Sequence, residues 1–173
     1  MFNRFTAAVA IATLGVTVSF AQGAKPTDPQ IAHIAYTAGQ LDIDAARQAL
    51  AKSKNADVRA FAEQMVRDHE AVNKQALALV NKLNVKPEDN DTSRSLAKAA
   101  AAKKTELETL NGAAFDKAYL ANEVAYHKTV NSALETTLIP SSSNAELKAL
   151  LETGLKLFKG HQMHAEQTAA KIK

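Results

Sequence analysis

What most constrains this chain is a recurrence of apolar residues at three- and four-residue steps, sustained over segments far longer than a strand. One line runs through Val58, Phe61, Ala62, Met65, Val66, His69, Val72, Ala76, Leu79, Val80 and Leu83. That spacing marks one face of an α-helix. A second line joins Leu120, Glu123, His127, Val130, Leu134 and Leu138. A third joins Leu147, Leu150, Leu151, Gly154, Leu157, Phe158, His161, His164, Ala165, Thr168 and Ile172. Stripes of this kind must be buried against one another, so the expected fold class is all-α. The abundance of Ala, Leu, Lys, Glu and Gln, with only 6 Gly and 4 Pro, points the same way.

The breaks between stripes set the element order. Asp28 is expected to cap a helix that starts at Pro29 and reaches about Lys52. Asn55 opens a second helix, to about Leu83, after a very short turn. Lys86 to Asp91 reads as a loop, and Thr92 or Ser93 as the cap of a shorter, alanine-rich third helix ending near Leu110. Asn111-Gly112 interrupts the pattern. A fourth helix then spans about Ala114 to Leu138, and the loop Ile139 to Asn144 precedes a fifth that runs almost to the end. The four longer helices, at about 25 residues, are roughly 38 Å long. Short turns make the first and second helices one antiparallel hairpin and the fourth and fifth another, while the third carries the chain back along the bundle. The expected architecture is a four-helix bundle with a helical crossover between the two hairpins, occupying residues 22–173 as one domain.

Residues 1–21 read differently. Arg4 precedes an uncharged stretch from Phe5 to Phe20, with small residues at Ser19 and Ala21, which is the pattern of a cleaved secretory signal. The stretch is short for a membrane span and is followed at once by Gln22-Gly23-Ala24-Lys25-Pro26. The expected product is a periplasmic protein with no stable membrane insertion. Loss of Arg4 moves the formal net charge from +3 to +2. Acidic and basic residues are interspersed and no aromatic-basic platform appears, so nucleic acid is not an expected partner. The absence of cysteine excludes disulfides and thiolate metal ligands.

His69, His127 and His161 each fall in the apolar stripe of a different helix. An imidazole in such a stripe must be hydrogen-bonded, neutral or metal-bound, because a buried polar group without a partner costs about 1–3 kcal/mol. Counting residues from the turns places all three at one depth, within about one helical turn (~5 Å), together with Asp42 and Glu123. Convergent imidazoles and carboxylates suit one divalent transition metal, such as zinc, iron, copper or manganese, better than an all-oxygen calcium cage. The bland reading is that each histidine satisfies a buried hydrogen bond. Asp68 and Glu70, flanking His69, are expected to be solvated or to support a ligand from behind. His164 shares the face of His161, and His33 is expected at the surface. Tyr119 and Tyr126 are expected at the core edge with hydroxyls in solvent. The Ser141-Ser142-Ser143 run lacks a glycine-flanked elbow and reads as a linker or cap rather than a nucleophile.

The segments Val58 to His69 and Gly112 to Tyr119, together with Glu123, His127 and His161, resemble the bacterial exported family called domain of unknown function 4142. The resemblance covers nearly all of residues 22–173 and implies a ferritin-like bundle in the cell envelope; it assigns no reaction. Di-iron members of the ferritin-like class carry a Glu-x-x-His motif on each of two helices. Here Val66 stands three residues before His69, and Phe158 three before His161. Those missing carboxylates argue against a ferroxidase-type redox enzyme. They leave a small metal site serving metal handling or envelope stress protection, or a non-catalytic structural or protein-interaction domain without metal. No exposed stripe singles out a protein partner or an oligomeric symmetry.

Overall fold

The computed structural model describes residues 25–172. The expected signal segment, residues 1–21, lies outside them. Five main helices follow in order: α1 (Asp28–Lys52), α2 (Ala56–Lys82), α3 (Asp91–Glu108), α4 (Gly112–Ala133) and α5 (Ala145–Lys171). Helix α4 is prolonged by a π-helical turn, Leu134–Leu138, and a last turn, Ile139–Ser141. No strand occurs among the described residues, and no helix there is long and apolar enough to cross a membrane.

The helix starts follow capping chemistry, with two corrections to the expected caps. Thr27, not Asp28, precedes α1, and its N–H is accepted by Gln30 Oε1 at 3.1 Å. Asp28 instead reaches across to the connection between α4 and α5, where it accepts from Ser142 Oγ at 3.1 Å, Ser143 N at 3.0 Å and Asn144 N at 2.9 Å. The serine run is therefore a tether for the first helix. Asn90, not Thr92 or Ser93, caps α3: its Oδ1 accepts from Ser93 N, and Ser93 Oγ accepts from Asn90 N. Asn55 and Asn144 cap α2 and α5 through their side-chain oxygens. Gly112 opens α4 at φ +55°, a left-handed conformation that glycine adopts without strain.

The expected loop at Ile139 begins later than its proline implied. Pro140 has no N–H to donate to Thr136 and its ring crowds that carbonyl, so the preceding turn widens rather than stops. Ile139 N then donates five residues back, to Leu134 O.

Helices α1 and α2 form one hairpin and α4 and α5 the other, while α3 runs beside α1 in the same direction. Gln48 Nε2 donates to Lys104 O, and Lys52 Nζ to Glu108 O. At the opposite end Asn90 Nδ2 donates to Gln30 O. This is the single-crossover connectivity of ferritin-like bundles. The core divides into two apolar clusters. The first, toward the α1–α2 turn, holds Ala46, Ala49, Val58, Phe61, Ala62, Met65, Leu107, Phe115, Tyr119, Leu120 and Ala165. The second, toward the α4–α5 connection, holds Ile31, Ile34, Ala38, Leu96, Leu134, Leu138, Leu147, Leu151 and Phe158. A layer of buried polar side chains lies between them.

Candidate metal centre

Each of the four bundle helices contributes to that layer at a position its apolar stripe turns inward. Asp42 comes from α1, His69 from α2, Glu123 and His127 from α4, and His161 from α5; none is more than 3% exposed. The imidazoles gather closely. Ring centroids are 5.7 Å apart for His69 and His127, 5.2 Å for His69 and His161, and 5.4 Å for His127 and His161. One nitrogen from each lies within 4.8 Å of one from the other two, and a second group of the same tightness joins Asp42, Glu123 and His127.

The hydrogen bonds leave particular atoms free. His127 Nδ1 lies 3.0 Å from the carbonyl oxygen of Glu123, a bond that needs the proton on Nδ1 and leaves the Nε2 lone pair open. His161 Nε2 lies 3.0 Å from Asp68 Oδ2, which favours a proton there and an open Nδ1. Both nitrogens left open, His127 Nε2 and His161 Nδ1, are buried without a partner. The same holds for both nitrogens of His69, both carboxylate oxygens of Asp42 and Glu123 Oε2. Asp42 Oδ2 lies 3.6 Å from His69 Nε2 and 3.5 Å from His127 Nε2. Two ligands of one tetrahedral ion, each about 2.0 Å from it, are themselves about 3.3 Å apart. The two separations from Asp42 are thus a few tenths of an ångström wider than a shared ion requires. Glu123 is placed less directly, since its Oε2 lies 3.8 Å from His127 Nδ1, the nitrogen already engaged with the backbone.

Without an ion the layer is held neutral. Burial pushes the Asp42 carboxyl up to about 8, and burial reinforced by the Asp42 charge raises Glu123 well above the usual carboxylate range. Burial, with repulsion from its two neighbouring imidazoles, lowers His69 to about 2. Burial and His161 lower His127 to about 4, and burial also lowers His161 against the opposing pull of Asp68. A cation entering here would meet neutral imidazoles able to donate lone pairs and would displace a proton from a carboxylic acid.

Several neighbours sit where the sequence did not put them. Tyr119 is fully buried with an unpaired hydroxyl, and Tyr126 donates to Ala38 O at 2.8 Å, so neither hydroxyl takes the expected solvent position. The signal for Tyr119 was its spacing, four residues before Glu123 and eight before His127, on one face of α4. Asp68 supports His161 from behind, whereas Glu70 pairs with Arg47 at the surface. His164 stays outside the layer: its Nδ1 meets Gln64 Oε1 at 2.8 Å and its ring packs edge-on against Phe61. His33, expected at the surface, is half-buried with Nδ1 unpaired. Phe158 stacks on His69 with ring centroids 4.7 Å apart, so an aromatic ring lies where a second bridging carboxylate would be needed.

Fold and layer together define an all-α, single-crossover bundle whose core is cut by a buried histidine and carboxylate layer. The chain belongs to the family described as Domain of unknown function (DUF4142), whose model matches residues 16–168. No curated protein and no solved structure matches it.

Proposed function

We propose that this protein is exported to the periplasm and binds one divalent transition metal ion, in metal handling or stress protection of the envelope. His69, His127 and His161 would hold the ion, with Asp42 the nearest carboxylate and Glu123 beside it. Asp68 fixes the tautomer of His161, and the Glu123 carbonyl that of His127, so that each presents a lone pair inward. The observation that carries this reading is the concentration of unpartnered buried atoms. His69 Nδ1 and Nε2, His127 Nε2, His161 Nδ1 and both Asp42 oxygens lie in one layer, each costing about 1–3 kcal/mol unless something binds it. Histidines serving only as hydrogen-bonded core residues would not leave their inward nitrogens bare. A ferroxidase-type reaction is disfavoured by Val66 and by the Phe158 ring against His69.

Metal analysis of untagged protein taken from the periplasm, followed by zinc, copper and iron titrations, tests the reading. One equivalent is expected for the wild type and none for a His69→Ala, His127→Ala double variant. Absence of binding by the wild type at micromolar metal overturns it.

A further inference from the structure

A cavity of about 60 Å³ opens directly beside the histidine layer, on the side of the second apolar cluster. His69 and His127 form its inner wall. Ala35, Ala38, Gly39, Ala76, Ala133 and Gly154 are among the small residues that leave the space, and Val72, Val80, Leu134, Leu151 and Phe158 close it. The volume would accommodate several water molecules. The wall, however, offers water almost nothing, because both nitrogens of His69 and Nε2 of His127 are buried within the layer and are not accessible from the cavity, which meets ring carbons instead. Tyr126 Oη already donates to Ala38 O, and Thr129 Oγ1 to Ala125 O. Asn73 Nδ2 is directed to Tyr36 O at 3.5 Å. A buried water needs two to four polar partners, and an apolar cavity that lacks them stays dry and takes up small apolar solutes.

We propose that this cavity is a binding pocket for a small, neutral, apolar molecule of a few heavy atoms, dioxygen among them, seated beside the rings of His69 and His127. The pocket exists independently of any ion, but its use rests on the metal reading: a molecule seated there touches the same imidazoles that would ligate the metal. Size limits the ligand to a small molecule, because the cavity has room for only several water-sized atoms. Polarity selects it again, since a charged or strongly hydrated species would lose its hydration without replacement. Ala35, Thr129 and Val130 in the wall are only partly buried, so solvent lies close behind it and exchange needs only a small outward movement.

Xenon is the probe, used first on the metal-free full chain. Pressurisation should give a saturable shift of methyl resonances for the alanines, valines and leucines of the pocket, with Ala62 and Leu120 of the opposite cluster unmoved. Ala38→Leu and Ala133→Leu, each checked for native helicity and cooperative unfolding, should abolish the response by filling the space. Two such variants are used because one enlarged side chain could disturb packing. A second arm repeats the measurement with cobalt added, and paramagnetic relaxation of bound xenon then reports its closeness to the ion. Absence of saturable xenon shifts, or a crystal structure with the cavity filled by ordered water, overturns the pocket. Xenon binding without uptake of cobalt, zinc, copper or iron leaves the pocket standing and overturns the metal reading instead. Uptake of xenon and cobalt without relaxation of xenon overturns their adjacency.

Discussion

The two halves of the bundle core are built by the same four helices and are packed in opposite ways. Toward the α1–α2 turn, aromatic rings interlock. Phe61 meets Tyr119 edge-on at 6.2 Å, Tyr119 stacks on Phe115 at 6.1 Å, and Phe61, Met65, Phe115 and Tyr119 are all completely buried. Toward the α4–α5 connection the facing residues, Phe158 apart, are aliphatic or very small, and a cavity remains. The histidine layer is thus anchored on one side and borders free space on the other. Rigidity on one flank holds ligands in place, and free space on the other leaves room for something to approach them.

The sharpest way to break this comparison is to remove its anchor. Phe61→Ala should cost about 3–5 kcal/mol, read from urea unfolding, because the ring is fully enclosed and the site has little freedom to collapse. A loss below about 1 kcal/mol would mean that the aromatic half is not the rigid one.

How far the sequence already contained this asymmetry is instructive. The helical stripes and their breaks dictate the bundle and its crossover, because a 3.6-residue period and short turns leave few ways to bury four long faces. Depth along a helix is also legible, since each residue advances the chain by a fixed rise; that is why Asp42, His69, Glu123, His127 and His161 could be brought to one level by counting. Local competition was not legible. Thr27 and Asp28 are both good caps, and the choice was made by Ser142, Ser143 and Asn144, which are more than a hundred residues away and draw Asp28 to themselves. The cavity was invisible for a different reason: it arises where small residues of several helices happen to face one another, and no single stripe carries that information.

The next effect is a matched pair of enlargements. Ala62→Leu, in the filled half, should destabilise by about 1–3 kcal/mol through overpacking. Ala38→Leu, in the half with space, should be neutral or stabilising by about 0.5–2 kcal/mol. Equal losses in the two variants, measured by the same unfolding experiment, would erase the distinction between the halves.

The layer between them should impose opposite pH slopes on the metal-free protein. His69 has its folded pKa lowered to about 2, so the stability it contributes is present above the unfolded value near 6.5 and is lost as pH falls from there. Asp42 has its folded pKa raised to about 8, so its contribution is present below the unfolded value near 3.8 and is lost as pH rises toward 8. In Asp42→Asn, unfolding midpoints measured with a chelator present should therefore become less sensitive to pH between about 6.5 and 8, and more sensitive between about 4 and 6.5, where the His69 slope is no longer opposed. An unchanged profile would show that Asp42 is not buried as a neutral acid.

The smallest effect belongs to the tether at the open end. Asp28→Ala removes the acceptor for Ser142, Ser143 and Asn144 and should cost about 0.5–1.5 kcal/mol. Hydrogen exchange should quicken around Ser142 to Glu146 with little change near Phe61. Quickening throughout the chain would mean that the tether supports the whole bundle rather than its open end.

The most direct measurement is urea unfolding of the wild type and of the His69→Ala, His127→Ala variant, each with chelator and with zinc. If the unpartnered layer is a metal site, zinc at about a hundred times its dissociation constant should stabilise the wild type by about 2.7 kcal/mol and leave the variant unmoved. An equal response of the two proteins, or no response of the wild type at any zinc concentration up to millimolar, would contradict it.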